Sequence, residues 1–256
     1  MIISISVFTK FSIYDDFSFR DMSLKSCSLN LLAFSPTISI EKIIGFSFTF
    51  IVKTPFEKLV DIFEKKVAKF AGAKYGIAVD CCSHGLFLSL RWYKEVMKMI
   101  TEHIHIPRYT YCSVPMQIIH AGFKPVFEDV TWSGIYQLRP FDIWDGAVRW
   151  TQGMYKSGFH IVSFQLKKRI PIGRGGMILT NDKKAADWFR KMTYDGRDLT
   201  ISYMDDDFEY CGYHYYMTPE DAARGILLMD QVPKKNLDSG NNRTYSDLST
   251  KRIFNE

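Results

Sequence analysis

The chain has 256 residues, 46% of them hydrophobic and 15% aromatic, which excludes an intrinsically disordered protein. Its net charge of +5 comes from 33 basic and 28 acidic residues that are scattered along the sequence, so no nucleic-acid partner is predicted. The longest apolar runs are too short to span a bilayer, and the first residues lack the features of a secretory signal, so no membrane partner is expected. Five cysteines without a C-x-x-C pair argue against a disulfide framework and predict a cytoplasmic protein.

Three parts of the chain differ in character. Residues 1–52 are rich in Ser, Phe and Ile and show only broken alternation, so we treat them as an N-terminal extension of unclear structure. Residues 53–232 carry regular apolar patterns and are predicted to form the main domain. Residues 233–256 are predicted to form a polar, extended C-terminal tail.

Helices and strands are predicted to alternate along the main domain. The first helix begins at Thr54-Pro55, because Thr54 is a good N-cap, Pro55 suits the first helical position and Glu57 completes a capping box. Strands are then predicted at 75–79, 103–107, 125–129, 141–145, 159–164 and 177–180, and further helices at 84–100, 114–121, 185–192 and 218–231. This order predicts an α/β fold whose mostly parallel sheet is covered by helices on both faces.

A turn of small residues, Asp80-Cys81-Cys82-Ser83, follows the first strand and precedes a helix. The free N–H groups at a helix N-terminus, together with the hydroxyl of Ser83, form the local geometry of an anion site. Every α/β unit contains such a turn, so an ordinary connection is the alternative interpretation.

The stretch from Ser163 to Thr180 joins two predicted strands through two lysines and a cluster of glycines. Pro171 and the glycines require a tight, irregular backbone. A lysine held there between buried strands would be desolvated, which makes its amine a nucleophile suited to a Schiff base. The alternative is a solvated basic turn, since clustered charges usually face water.

Several candidate groups follow or end predicted strands. They are the small-residue turn, the aromatic pair after Pro107, Asp145 and Lys168. In parallel α/β sheets, ligands bind at the carboxyl ends of the strands. A phosphate site, a stacking aromatic ring, a carboxylate and an amine on one edge of a sheet fit a single cofactor. The His103-x-His105 spacing also suits a metal, but no third ligand has a clear place, so no metal site is predicted.

The glycine-rich stretch resembles the lysine motif of the DegT/DnrJ/EryC1/StrS aminotransferases, which reads roughly SFH-x-x-K-x-[LI]-x-x-GEGG-[MA]-[VI]-x-T. The positions that match in register are Ser163, Phe164, Lys168, Gly173, Gly175, Gly176 and Thr180. The register selects Lys168 rather than Lys167 as the Schiff-base residue. Gln165 replaces the histidine of the motif, and Arg174 replaces its glutamate.

Further segments between about Phe56 and Met229 are similar to the same family, including Phe63–Leu86, Pro107–Tyr111, Gly122–Asp129, Asp145–Ala147 (D-A-A in the family) and Gly212–Thr218. The resemblance implies that Tyr111 stacks on the pyridine ring of pyridoxal 5'-phosphate and that Asp145 pairs with its nitrogen. It also implies that Cys82, Ser83 and Ser163 hold the phosphate, and that His214 reaches the phosphate of a neighbouring subunit. This chain departs from the family pattern at Cys82, Val148, His214 and Tyr216, where the family has glycine, glutamine, asparagine and arginine.

As a whole, the resemblance implies an aspartate-aminotransferase-like (fold type I) large domain, with the usual small C-terminal domain expected to be absent. The implied activity is transfer of an amino group, with glutamate as donor, to a nucleotide-linked keto sugar for polysaccharide biosynthesis, by a homodimer with shared active sites. Two alternatives stay open. The chain is a catalytically impaired, regulatory or structural homologue, or it is one piece of an enzyme that another polypeptide completes.

Overall fold

The structure, a computed structural model, describes residues 55–255, all of which belong to one compact unit. The N-terminal extension and the predicted Thr54 cap lie outside the described residues. The helices are α1 (Pro55–Ala71), α2 (Cys82–Glu95), α3 (Ser113–His120), α4 (Lys183–Thr193) and α5 (Pro219–Met229). The strands are β1 (Tyr75–Val79), β2 (His103–Pro107), β3 (Lys124–Glu128), β4 (Tyr136–Gln137), β5 (Ile143–Asp145), β6 (Phe159–Ser163) and β7 (Gly176–Thr180).

The predicted elements are all present, and β1 and β2 have the predicted bounds. The largest difference is at the end of α2, which stops at Glu95 rather than near residue 100. Lys98 has a φ of 51°, in the left-handed region where a right-handed helix cannot continue. The two-residue strand β4 was not predicted, because two residues carry no readable alternation.

The sheet is mixed, and most of its strands point the same way. Its strand order is β1-β7-β6-β5-β4, in which β5 pairs parallel with β6, whereas β4 and β7 pair antiparallel with their neighbours. β2 and β3 form a parallel pair, and an antiparallel bridge between His105 and Arg139 joins this pair to the segment after β4. In the described part of the chain, β1, β2, β3, β5 and β6 therefore run in one direction, against β4 and β7. This confirms the predicted mixed sheet, in which most strands share one direction although three of the five strand pairings are antiparallel.

Helices cover both faces of this sheet, and the alternation of side chains along each strand shows it. On β7, Met177 and Leu179 pack into one core with α1 and α5, while Ile178 packs into the other core with α2 and α4. The same division occurs on β6, where Val162 faces the first core and Ile161 the second. Because β6 and β7 are buried throughout, the residues that follow them are held at a defined edge of the sheet.

The C-terminal segment packs against the domain instead of extending away from it. Leu248 is buried and its N–H donates to the carbonyl of Arg108, and the ring of Tyr245 stacks on Trp132. The apolar surface of these side chains explains why a mostly polar segment folds back. Among the residues that the structure describes, no helix has the length and apolar character needed to cross a membrane.

Candidate active site

A cavity of about 590 Å³ opens at the carboxyl-terminal edge of the sheet. It lies beyond the ends of β1, β2, β5 and β6, which is the edge where the sequence places the candidate groups. Residues from four well-separated stretches of the chain therefore meet there. The predicted site residues that line this cavity are Cys82, Ser83, Tyr111, Asp145, Ser163 and Lys168.

Asp145 ends β5 and provides a buried carboxylate to the cavity, with 6% of its surface exposed. The Tyr136 hydroxyl donates to its Oδ2 at 2.6 Å, and the Ala147 N–H donates to its Oδ1 at 2.9 Å. Burial raises the pKa of Asp145, while these two donors and the positive charge of Lys168 act in the opposite direction. A cation placed against this buried carboxyl group would therefore stabilise its ionised form.

Sequence reasoning missed Tyr136, which holds this carboxylate in place. Its Cα is the cross-strand partner of Asp145, and its hydroxyl also lies 2.5 Å from Oγ1 of Thr110. Tyr136 and Thr110 are both buried, so this hydrogen-bonded chain lies at the floor of the cavity. No sequence signal could have found it, because the strand that carries Tyr136 is two residues long.

Lys168 lies in the loop that joins β6 to β7. Its N–H donates to the carbonyl of Gln165 at 2.8 Å, which closes a tight turn directly after β6. Lys168 is half-buried in the cavity wall, whereas its neighbours Lys167 and Arg169 are exposed. The structure thus separates the two lysines that the sequence places side by side.

The start of α2 forms one wall of the cavity. Cys81 caps the helix, since its Sγ accepts from the N–H of His84 at 3.4 Å, and Oγ of Ser83 lies 2.7 Å from Oγ of Ser113. β7 approaches this turn so closely that a Cβ on Gly176 would lie 2.6 Å from the Cys82 nitrogen. A side chain at position 176 would displace the start of the helix, so only glycine allows this close approach. Cys81, Cys82 and Ser83 line the cavity, so the start of this helix borders it.

The thiol of Cys82 is a neutral group of the cavity wall. Burial raises its pKa well above the usual value, and the negative charges near it at Asp145 and Cys81 act in the same direction. Lys168 opposes them with its positive charge. Cys82 therefore offers a weak hydrogen-bonding group near Asp145 and not a thiolate nucleophile.

Aromatic side chains form the opposite side of the cavity. Tyr111 lines it with an exposed ring, 59% accessible, directly after the buried Thr110. Tyr245, from the C-terminal segment, also lines it, and burial followed by the charge of Asp145 raises the pKa of Tyr245 to about 12. Sequence reasoning missed Tyr245 because the segment around it is polar.

A cluster of charged groups lies at the rim, where the loop before β7 meets the loop after β1. The carboxylate of Asp80 lies 2.6 Å from Nδ1 of His84 and accepts a 2.5 Å hydrogen bond from Nη2 of Arg174. Asp80, Cys81 and His84 also bring three potential metal ligands within 4.8 Å of one another. Since Asp80 already binds a guanidinium, the arrangement favours a network of ion pairs over a metal centre.

The family assignment agrees with this geometry. The sequence profile of the DegT/DnrJ/EryC1/StrS aminotransferase family matches residues 54–142 and 152–245. The chain belongs to this family. The resemblance inferred from the lysine motif is therefore confirmed.

The chain is also similar to a curated protein and to several solved structures. The spore coat polysaccharide biosynthesis protein SpsC of Bacillus subtilis (strain 168) is 41% identical over 71 residues, which cover 28% of this chain and 18% of SpsC. AtS13 from Actinomadura melliaura superposes with a TM-score of 0.59 at 18% identity, over 67% of this chain and 59% of AtS13. PseC of Helicobacter pylori, an aminotransferase of pseudoaminic acid biosynthesis, has a TM-score of 0.55 at 13% identity, over 68% of this chain and 57% of PseC.

These likenesses confirm the fold, which is that of the large domain of fold-type-I aminotransferases. The chain spans less than two thirds of the length of each of these relatives. Family membership implies pyridoxal phosphate, and the residues present fit it. The cavity has the volume of a cofactor site, and it combines a buried carboxylate, an amine, an exposed aromatic ring and a helix N-terminus.

Two departures from the DegT family pattern have a structural account. Val148, where the pattern has a glutamine, is buried beneath the C-terminal segment, and its carbonyl accepts from the N–H of Ser239 at 2.9 Å. Gly146 replaces the first alanine of the D-A-A pattern, and a Cβ there would lie 2.1 Å from Nε2 of His160. At Gly146 the ring of His160 takes the space that an alanine side chain would need, and at Val148 the side chain lies close to Gly240 of the C-terminal segment.

The structure does not bring His214 into the cavity of its own chain. Its side chain is 68% exposed, and its Nδ1 lies 2.9 Å from a carboxylate oxygen of Asp195. The edge of its ring contacts Tyr216, the residue that replaces the arginine of the family pattern. The expected contact of His214 with a neighbouring subunit stays a prediction.

His160 makes the stability of this DegT-family protein sensitive to acid. Both its ring nitrogens are buried without a hydrogen-bond partner among the described residues, and burial, followed by the charge of Arg149, lowers its pKa to about 4. The unfolded chain takes up this proton near pH 6.5, so the stabilisation is present above pH 6.5 and is lost as the pH falls towards 4.

We expect the wild-type protein to lose roughly 2 kcal/mol of unfolding free energy between pH 7 and pH 5 through His160 alone. Urea denaturation at the two pH values measures the loss, and His160→Leu is the reference because it removes the titrating group. The same pH dependence in both proteins would contradict the assignment to His160.

Proposed function

We propose that this chain is a pyridoxal-phosphate-dependent aminotransferase that transfers an amino group from glutamate to a nucleotide-linked keto sugar. The observation that supports it best is the shared cavity, which the buried Asp145 and the half-buried Lys168 both line and in which the positive charge of Lys168 acts to lower the pKa of Asp145. Membership of the aminotransferase family and the likeness to SpsC, a protein of polysaccharide biosynthesis, support the reaction and the sugar class. The comparisons give no support to the non-catalytic alternative.

Each residue has a defined task in this proposal. Pyridoxal phosphate, when bound, supplies an electron sink that stabilises negative charge at the substrate carbon. Lys168 would hold the cofactor covalently through its side-chain amine, and the same amine would serve as the base and acid of the proton transfer. Asp145 would hold the pyridine nitrogen of the cofactor in its protonated form, because opposite charges attract strongly in a buried site. Tyr136 holds Asp145 in position for this contact.

The remaining predicted residues hold and orient the cofactor. Tyr111 would stack on the cofactor ring, and Ser83, Ser163 and the N–H groups at the start of α2 would bind its phosphate. Cys82 lines the cavity next to Ser83. His214 contributes from a second subunit of a homodimer, in keeping with its exposed position. The cytoplasmic location stays a prediction.

Half-transamination tests this proposal. Purified protein loaded with pyridoxal phosphate is mixed with glutamate alone, and the bound cofactor is expected to convert to its pyridoxamine form with release of 2-oxoglutarate. Absorbance and mass spectrometry follow the conversion, and D-glutamate is the control. Subsequent addition of a nucleotide-linked keto sugar is expected to regenerate the starting cofactor and yield an amino sugar. A bound cofactor that glutamate leaves unchanged would contradict the proposal.

A further inference from the structure

Arg174 lines the cavity and lies in a turn between two glycines. It stands between Gly173 and Gly175, which have φ angles of +128° and +132°, a region that residues with a side chain rarely adopt. Gly175 also forms a parallel bridge with Cys81, the cap of α2. The guanidinium is therefore delivered to the start of that helix.

The contacts of Arg174 place its charge beside the helix N-terminus. Its Nε donates to the backbone carbonyl of Asp80 at 3.2 Å, and its Nη2 donates to the carboxylate of Asp80 at 2.5 Å. Asp80 immediately precedes the cap residue Cys81, and Ser83 lies in the first turn. A guanidinium, a hydroxyl and the free N–H groups of a helix start thus border one part of the cavity.

The charge balance of this cluster, which consists of Asp80, His84 and Arg174, is positive. An Arg–Asp pair alone is neutral and would attract a dianion weakly. His84 also binds Asp80, and although burial lowers its pKa, the hydrogen bonds with Asp80 and Cys81 raise it further, to about 9. At pH 7 two cations therefore share one carboxylate. The ring of His84 is fixed by stacking on Tyr215, with centroids 3.7 Å apart.

We propose that Arg174 binds the phosphate of pyridoxal phosphate directly, and that Asp80 and His84 are positioning residues which orient its guanidinium and keep the cluster positive. This assignment rests on the proposed function of the same cavity. A phosphate is favoured over a carboxylate of the substrate because the guanidinium lies at the helix start, where N–H groups already favour a dianion.

Binding of pyridoxal phosphate and of pyridoxal, which lacks the phosphate, tests this proposal without any assay of activity. Arg174→Gln is expected to raise the Kd of pyridoxal phosphate about tenfold, the usual weight of a charge-assisted hydrogen bond, and to leave that of pyridoxal unchanged. His84→Gln is expected to act in the same direction, because it leaves a neutral Arg–Asp pair. Arg174→Lys is expected to restore part of the loss. Arg169→Gln, an exposed arginine of the same loop, is the matched control.

Equal losses for the two ligands in Arg174→Gln would overturn the proposal, since they would indicate a structural role. So would an unchanged Kd of pyridoxal phosphate accompanied by a raised KM for glutamate or for the nucleotide sugar, which would assign Arg174 to the substrate. A thermal-unfolding experiment with inorganic phosphate tests the proposal without depending on the proposed reaction. It is expected to raise the melting temperature of the cofactor-free wild-type protein but not that of Arg174→Gln, and equal rises would count against the proposal even if glutamate fails to convert the cofactor.

Discussion

Lys168→Ala is expected to lower kcat for amino transfer by roughly 10³-fold or more, because no other amine would take over covalent binding of the cofactor and the proton transfers together. Lys168 is half-buried in the cavity wall, and its charge influences both Asp145 and Cys82. The variant is also expected to lose the absorbance band of the covalently bound cofactor while keeping its folded structure. Steady-state kinetics, absorbance spectra and circular dichroism measure the three properties.

Lys167→Ala is the matched control for this experiment. Lys167 also lines the cavity, but it is exposed, and its N–H is tied to the side chain of Gln165 at 2.8 Å. We expect its kcat to remain within about threefold of wild type, as for an exposed charge outside the reacting atoms. Similar losses in both variants would contradict the choice of Lys168 and would indicate that the loop as a whole had moved.

Asp145→Asn is expected to lower kcat by roughly 10²- to 10³-fold, the usual cost of removing one preorganised electrostatic group from an active site. The amide occupies the same space but cannot keep a pyridine nitrogen protonated, since it carries no negative charge. The effect is expected mainly in kcat, with a smaller change in the Kd of the cofactor. Steady-state kinetics together with cofactor titration separate the two.

Asp142→Asn provides a control from the same part of the chain. Asp142 accepts hydrogen bonds from Trp144 Nε1 at 2.6 Å and from Ser157 Oγ at 2.7 Å, and it is not among the residues lining the cavity. Its substitution is expected to lower the melting temperature and to leave kcat near wild type. An Asp145→Asn variant with wild-type kcat would contradict the role assigned to Asp145.

Much of the candidate site could be predicted because its residues lie in short, contiguous motifs. The lysine motif selected Lys168 over Lys167 by register, and the structure independently separates the two by exposure. Asp145 was predicted because it ends a strand and Ser83 because its turn follows one, and the shared direction of those strands brings them to one edge. Local sequence patterns are enough to predict a site residue when its position at the end of a strand also fixes where it lies in the fold.

The sequence by itself determined the alternation of helices and strands and the family, and it selected Lys168 as the candidate Schiff-base residue, since these depend on apolar periodicity and on motif spacing. Tertiary structure alone decided which distant groups meet: Tyr136 under Asp145, Tyr245 across the cavity, and Arg174 on Asp80, 94 residues away. Such pairings depend on packing and on the order of strands in the sheet, which a single sequence does not record. Arg174 shows the difference most clearly. In the sequence it is only a departure from the family motif, whereas in the fold it forms an ion pair with Asp80.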